Sequence, residues 1–208
     1  MNILHIDSSI LDGNSVTREL SAAIVTQLKA SHPDASVTYR DLVKHEIRHL
    51  TGAIAAGFRP TGLDDFDEAT RQEHQLSAAL VSEFLAHDVI VIGVPMYNFS
   101  VPSQLKAWLD RLAQAGRTFK YTETGPVGLV SGTQVFIASA RGGFYAEGPF
   151  THMDYQESYL KTFFGFLGIR DVHFIRAEGV SKGPQIKEAG IQHAHSAIAA
   201  TLAIFQSK

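Results

Sequence analysis

The 208-residue chain contains no cysteine. Disulfides, thiolate catalysis and Cys-ligated metals are therefore excluded. An excess of either charge is missing too. Lys and Arg number 18 against 21 Asp and Glu, a net charge of −3, which gives no electrostatic case for nucleic acid or acidic lipid. No window approaches the roughly 20 apolar residues of a membrane span. The opening residues Met1–Asp7 lack the basic and long apolar regions of a signal peptide. The expectation is a cytoplasmic protein with no nucleic-acid or membrane partner. The signatures G-x-G-x-x-G and G-x-x-x-x-G-K-[ST] are also absent, so dinucleotide and P-loop readings lack their anchor. No repeat, low-complexity tract or linker divides the chain, and its length suits one domain, 1–208.

The most informative stretch present is Val89–Pro102, Val-Ile-Val-Ile-Gly-Val-Pro-Met-Tyr-Asn-Phe-Ser-Val-Pro. Val89–Val94 has no polar side chain and reads as a strand buried on both faces of a parallel sheet. Pro95 ends it, having no N–H for the ladder. Met96, Tyr97, Asn98 and Phe99 follow, a costly set to leave on a bare surface. Ser100 is expected to cap the next helix, with Pro102 in its first turn. An aromatic loop at the carboxyl end of a central strand is where open α/β sheets bind ligands. The ligand implied is flat and apolar with hydrogen-bonding edges.

Around this stretch, strand and helix patterns alternate. Strands are expected at Asn2–Asp7, Ser36–Arg40, Thr133–Ala140 and Val172–Ala177 as well. Helices are expected from near Leu20 to Ser31, over Asp67–His87, through Leu105–Leu112, over Tyr155–Gly168 and over Gln185–Phe205. Five strands separated by helices predict a doubly wound five-stranded parallel sheet of order 2-1-3-4-5 with right-handed crossovers. Two connections, Asp41–Asp65 and Gly116–Gly132, are too long to be mere links.

Three loops are expected to meet at the carboxyl edge. The first, Ser8–Thr17, is rich in hydroxyls and runs into a helix N-terminus, which suits phosphate. The second is Met96–Phe99, where the Asn98 amide suits the edge of a heterocycle. The third is Ala140–Phe144, whose paired glycines admit a ligand close to the backbone, with Arg141 as a nearby positive charge. Two motif matches are set aside. His45–His49 fits H-E-x-x-H, but a strand ends near Arg40 and Gly52 follows closely, so the long helix of a zinc site is not expected, and no metal is. Gly179–Gly183 fits G-x-S-x-G, but only Glu188, His193 and His195 remain as acid and base, all on one helix. It reads as a strand-to-helix turn.

These residues resemble one family. Ser8-Ser9-Ile10-Leu11 with Ser15 and Thr17, Pro95-Met96-Tyr97-Asn98-Phe99 and Arg141-Gly142-Gly143 look like the FMN-dependent NADH-azoreductases, within the flavodoxin-like quinone reductases. The similarity extends through Gly116–Glu123 and Thr162–Gly168. It implies FMN, with its phosphate on Ser9, Ser15, Val16 and Thr17. The isoalloxazine would lie on Pro95, Met96, Tyr97, Asn98 and Phe99 and on Ala140, Arg141, Gly142 and Gly143. Val16 and Ala140 depart from the polar residues usual there, but both retain their backbone groups. The resemblance further implies a homodimer with the flavin at the subunit interface, NADH or NADPH as donor, and quinone or azo acceptors. Stacking partners for donor and acceptor would be Phe119, Tyr121 and Phe163, with no catalytic acid or base. Trp108 and the excursion Phe119–Tyr121 look like surplus apolar area suited to that interface. The alternatives are an electron carrier of the flavodoxin type and a regulatory module without cofactor. A receiver of the latter kind wants an Asp where this chain has Val94-Pro95.

Overall fold

The computed structural model describes residues 1–59 and 66–206, with side chains up to Ala203. Its organising strand is β3 (Val89–Pro95), in which all seven residues are buried. Such a run is stable only with apolar layers on both faces. Ile90, Ile92 and Val94 point to one layer, Val89 and Val91 to the other, as the period of two demands. The first layer is closed by α3 (Glu68–Leu85), α4 (Ser103–Leu112) and α5 (Tyr155–Leu167), through Leu80, Phe84, Leu105, Trp108, Leu160 and Phe164. The second is closed by α1 (Val16–Ser31) and α6 (Pro184–Gln206), through Leu20, Ile24, Leu28, Ala194 and Ile198.

β3 pairs in parallel with β1 (Asn2–Asp7) and β6 (Gln134–Ala140), while β2 (Ser36–Asp41) and β7 (Val172–Ala177) form the edges. The order β2-β1-β3-β6-β7 is the expected 2-1-3-4-5 once the two strands outside this sheet are skipped. Those two, β4 (Phe119–Thr122) and β5 (Gly125–Gly128), form an antiparallel hairpin inside the long connection Gly116–Gly132. The hairpin rests on the carboxyl end of α5. A Cβ at Gly128 would lie 2.1 Å from Gly168 N, so only glycine permits this backbone-on-backbone contact. Val130 N–H then donates to Leu167 O at 2.9 Å.

The other long connection contains a short helix, α2 (Gly52–Ala56), capped by Thr51. Its last six residues, 60–65, lie outside the described residues. His45 to His49 form an irregular segment with both histidines exposed, so the helical geometry of a zinc motif is not formed. Ser100 is not the cap of α4. That helix starts at Ser103 with Pro102 at its N-cap, because Ser100 is occupied in a turn described below. Trp108 is not surface area for an interface either. It is fully buried, with its ring 6.0 Å from Phe84 in an edge contact. No described helix is long and apolar enough to cross a membrane.

Candidate functional site: three loops at the carboxyl edge

The first loop leaves β1 at Ser8, whose hydroxyl donates to Gly93 O on β3 at 2.7 Å. Ser15 caps α1, accepting from Arg18 N–H at 3.3 Å, and its hydroxyl lies 3.1 Å from that of Thr17. Among the described residues, the first-turn N–H groups of Val16 and Thr17 have no acceptor in the chain. Two hydroxyls and two free N–H groups at the positive end of a 16-residue helix form an anion site. The loop is held from behind by Arg18. Its guanidinium donates to Ser9 O at 2.9 Å and grips both oxygens of Asp41 at 2.7 and 3.0 Å. Burial works to raise the Asp41 carboxyl, but hydrogen bonds from Arg18 and from the N–H groups of Val43 and Lys44 outweigh it. They hold the carboxyl below the usual carboxylate range. Gly93 lets α1 approach the sheet. A Cβ there would sit 2.5 Å from Asp7 Oδ1 and 3.0 Å from Thr17 O.

The second loop is a tight turn. Tyr97 N–H donates to Ser100 O at 3.0 Å and Ser100 N–H to Tyr97 O at 3.1 Å. Between them, Asn98 and Phe99 both have positive φ, 48° and 70°. Two consecutive left-handed residues within a reciprocal pair are the geometry of a primed hairpin turn, unusual without glycine. Strain of this kind collects at ligand sites. It turns the N–H groups of Asn98 and Phe99 away from the turn. Among the described residues, neither has an acceptor. Met96 and Tyr97 are half-buried, Asn98 and Phe99 exposed. The turn is joined to the first loop by Tyr97, whose hydroxyl accepts from Ile10 N–H at 3.4 Å and lies 3.5 Å from Ser9 Oγ. It is joined to the third by Met96 N–H, which donates to Ala140 O at 2.8 Å.

The third loop offers the N–H groups of Gly142 and Gly143, which have no acceptor among the described residues. Arg141 is neither a surface residue nor a positive charge facing the cleft. Its guanidinium is fully buried. It lies 2.9 Å from Asp154, donates to Ser139 Oγ at 3.1 Å and to Glu178 at 3.4 Å, and pairs with Glu157. Burial works to raise the Glu157 carboxyl. Hydrogen bonds from Arg176 and the charges of Arg141, Arg176 and Lys161 prevail and lower it. Glu178 also accepts from Tyr145 N–H at 2.7 Å and Ala146 N–H at 2.9 Å, which sets the exit of the loop. Gln156 completes the frame. It accepts from Ser139 Oγ at 2.6 Å and donates to Val94 O at 3.3 Å, tying β6 to the end of β3. Sequence reasoning missed Gln156, Glu157, Glu178 and Gly93. The signal was faint: a polar pair, Gln156-Glu157, in the first turn of an otherwise aromatic helix.

The aromatic residues divide. Phe119 is 6% exposed, with its ring 4.5 Å from Phe166. It anchors the hairpin through that contact. Tyr121 is 75% exposed at the hairpin edge. Phe163 is half-buried beside Tyr159, at 6.1 Å. Tyr159 in turn lines a hollow of about 600 Å³ with Ile10, Tyr97 and Asn98. A second hollow, about 830 Å³, borders Asp12–Val16, and a third, about 440 Å³, borders Gly143. Among the described residues, no cluster of three or more His, Asp or Glu could hold a metal.

The chain matches the model of a flavodoxin-like fold family over residues 1–202. It is 61% identical over 198 residues to a protein of Ralstonia nicotianae named FMN-dependent NADH:quinone oxidoreductase, covering 95% of each chain. Among solved structures, an azoreductase from Bacillus anthracis superposes with a TM-score of 0.85 at 28% identity, covering 95% of this chain and 98% of that one. An FMN-dependent NADH-azoreductase of the same species, in complex with FMN, gives 0.84 at 25% identity, covering 96% and 98%. With its strand order, its three joined loops and a match over almost its full length, the chain belongs to this flavodoxin-like family.

Proposed function

We propose that the protein is an FMN-dependent oxidoreductase that draws hydride from NADH and delivers the electrons to quinones and azo compounds. The carrying observation is the left-handed Tyr97–Ser100 turn, bonded to the phosphate-type loop on one side and to the Gly-Gly loop on the other. Its exposed N–H groups, with those of Val16, Thr17, Gly142 and Gly143, form a donor set that fits FMN. The hydroxyls of Ser9, Ser15 and Thr17 and the N–H groups of Val16 and Thr17 would hold the phosphate. A terminal phosphate suits this short loop better than a pyrophosphate bridge does.

Met96–Phe99, with Pro95 and Ala140 behind them, would hold the ring. FMN, when bound, supplies the two-electron chemistry between nicotinamide and acceptor. The chain's part is to position and polarise. The N–H groups of Gly142 and Gly143 are fixed donors for a ring edge that gains negative charge. Arg141 acts behind them by holding the loop. The proposed assembly is a homodimer in which Tyr121 and Phe163 wall the partner's site. The support is the large exposure of Tyr121 on a hairpin outside the main sheet. Donor and acceptor then occupy one planar slot in turn. A cytoplasmic setting belongs to the same proposal.

The test is a flavin titration followed by steady-state kinetics. FMN is expected to bind in preference to FAD, and NADH and quinone to give parallel double-reciprocal lines. A protein that takes up no flavin, prefers FAD, or turns over no quinone overturns the proposal.

A further inference from the structure

Gly179–Gly183, the G-x-S-x-G match, has a structural role that its sequence does not announce. The turn runs beside the Gly-Gly loop and is bonded to it three times. Gly179 N–H donates to Gly143 O at 2.9 Å, Val180 N–H to Arg141 O at 3.0 Å and Ser181 N–H to Gly142 O at 3.2 Å. Ser181 Oγ stands where a Cβ on Gly142 would approach within 3.0 Å. The next residue, Lys182, is therefore placed by the loop that Gly142 and Gly143 belong to.

Lys182 lies on the rim of the 440 Å³ hollow that opens beside Gly143. The walls are Phe144, Tyr145, Pro149, Phe150 and Met153, and Lys182 is the single charged residue among them. Phe144 and Phe150 are each about half exposed. Glu178, just before this turn, is taken up by Arg141 and by the N–H groups of Tyr145 and Ala146, and Glu147 borders two other hollows. Among the described residues, Lys182 forms no ion pair. An apolar, aromatic-walled slot with one uncompensated cation at its mouth is complementary to a flat ligand with an anionic substituent.

We infer that this hollow is an acceptor subsite and that Lys182 selects aromatic acceptors carrying a sulfonate or carboxylate. The inference rests on the proposed quinone reductase activity and names the acceptor class within it. The aromatic walls hold the ring system. Lys182 holds the anionic group at the solvent edge and so sets which end of the acceptor reaches the flavin loop.

The experiment compares menadione with naphthoquinone sulfonate on the FMN-loaded protein and on Lys182→Gln, Lys182→Glu and Lys182→Arg. The readout is the ratio of the two KM values. Lys182→Gln is expected to shift it about five-fold against the sulfonate, the size of one partly screened ion pair. Lys182→Glu should shift it further and Lys182→Arg should restore it. Raised salt should shrink the wild-type preference. A ratio unmoved by Lys182→Glu, with both quinones still turned over, overturns the subsite. Failure of the wild-type protein to turn over either quinone overturns the oxidoreductase reading instead.

Discussion

Replacing Arg141 with Met separates a residue that supports the fold from one that serves the ligand. The guanidinium is fully buried and faces Asp154, Glu157 and Glu178, with Ser139 as a fourth partner. Met keeps the apolar stem but leaves the carboxylates without that charge. Removing one partner of a buried ion pair typically destabilises by about 3–5 kcal/mol. Arg176 still reaches Glu157 at 2.8 Å and Lys161 lies 3.4 Å from it, so the expected loss is at the low end, about 3 kcal/mol. Against a typical total of about 5–15 kcal/mol this is large. In urea it moves the midpoint down by about 1 M.

The pH dependence follows from the same contacts. Glu157 is held below its ordinary value of 4.5, so its contribution is complete above that value and is lost as pH falls through the lowered folded one. Without Arg141, burial gains weight, the folded carboxyl rises, and acid destabilisation begins at higher pH. Urea melts of apoprotein between pH 7 and 3 check both effects. An unchanged midpoint, with FMN affinity lost, would refute the structural account and return Arg141 to the ligand.

Two further outcomes are expected. Gly93→Ala drives a methyl group into Asp7 and the carbonyl of Thr17. It should cost about 1–3 kcal/mol and weaken FMN binding in fluorescence titrations, since α1 carries the phosphate donors; full affinity would show that the approach of α1 to β3 is not needed. Tyr121→Ala should raise KM several-fold with FMN retained, an aromatic wall being worth about 1 kcal/mol. Mixing it with a variant damaged in the Asn98 turn should restore activity in heterodimers, and no recovery after proven subunit exchange would place Tyr121 against its own chain's site.

The sheet was legible because its strands obey a local rule. The apolar run at Val89–Val94 reads as doubly buried and is. The strands expected to end at Ala140 and Ala177 do end there. The hairpin was not legible. Gly125-Pro126-Val127-Gly128 is poor strand sequence, and it pairs only because Gly128 lets it lie on the end of α5. The loops were recognisable by residue type, but not their internal bonding. Ser100 before Val101-Pro102 looks like a helix cap, yet its backbone closes the turn on Tyr97. The burial of Arg141 depends on acids up to 37 residues away, a separation that periodicity does not encode. Trp108 was misjudged for the same reason: its neighbour Phe84 comes from another helix.

The bond from Met96 N–H to Ala140 O continues the β3–β6 ladder by one rung into the loops. That rung fixes the Met96 end of the cradle to the sheet. Prising it open means unzipping the two innermost strands, and such openings require nearly the free energy of global unfolding. Amide exchange at Met96 should therefore be as slow as in the core. With FMN in the cradle as proposed, exchange at Met96 should be equally slow with and without the flavin, because the Met96–Ala140 rung does not depend on it.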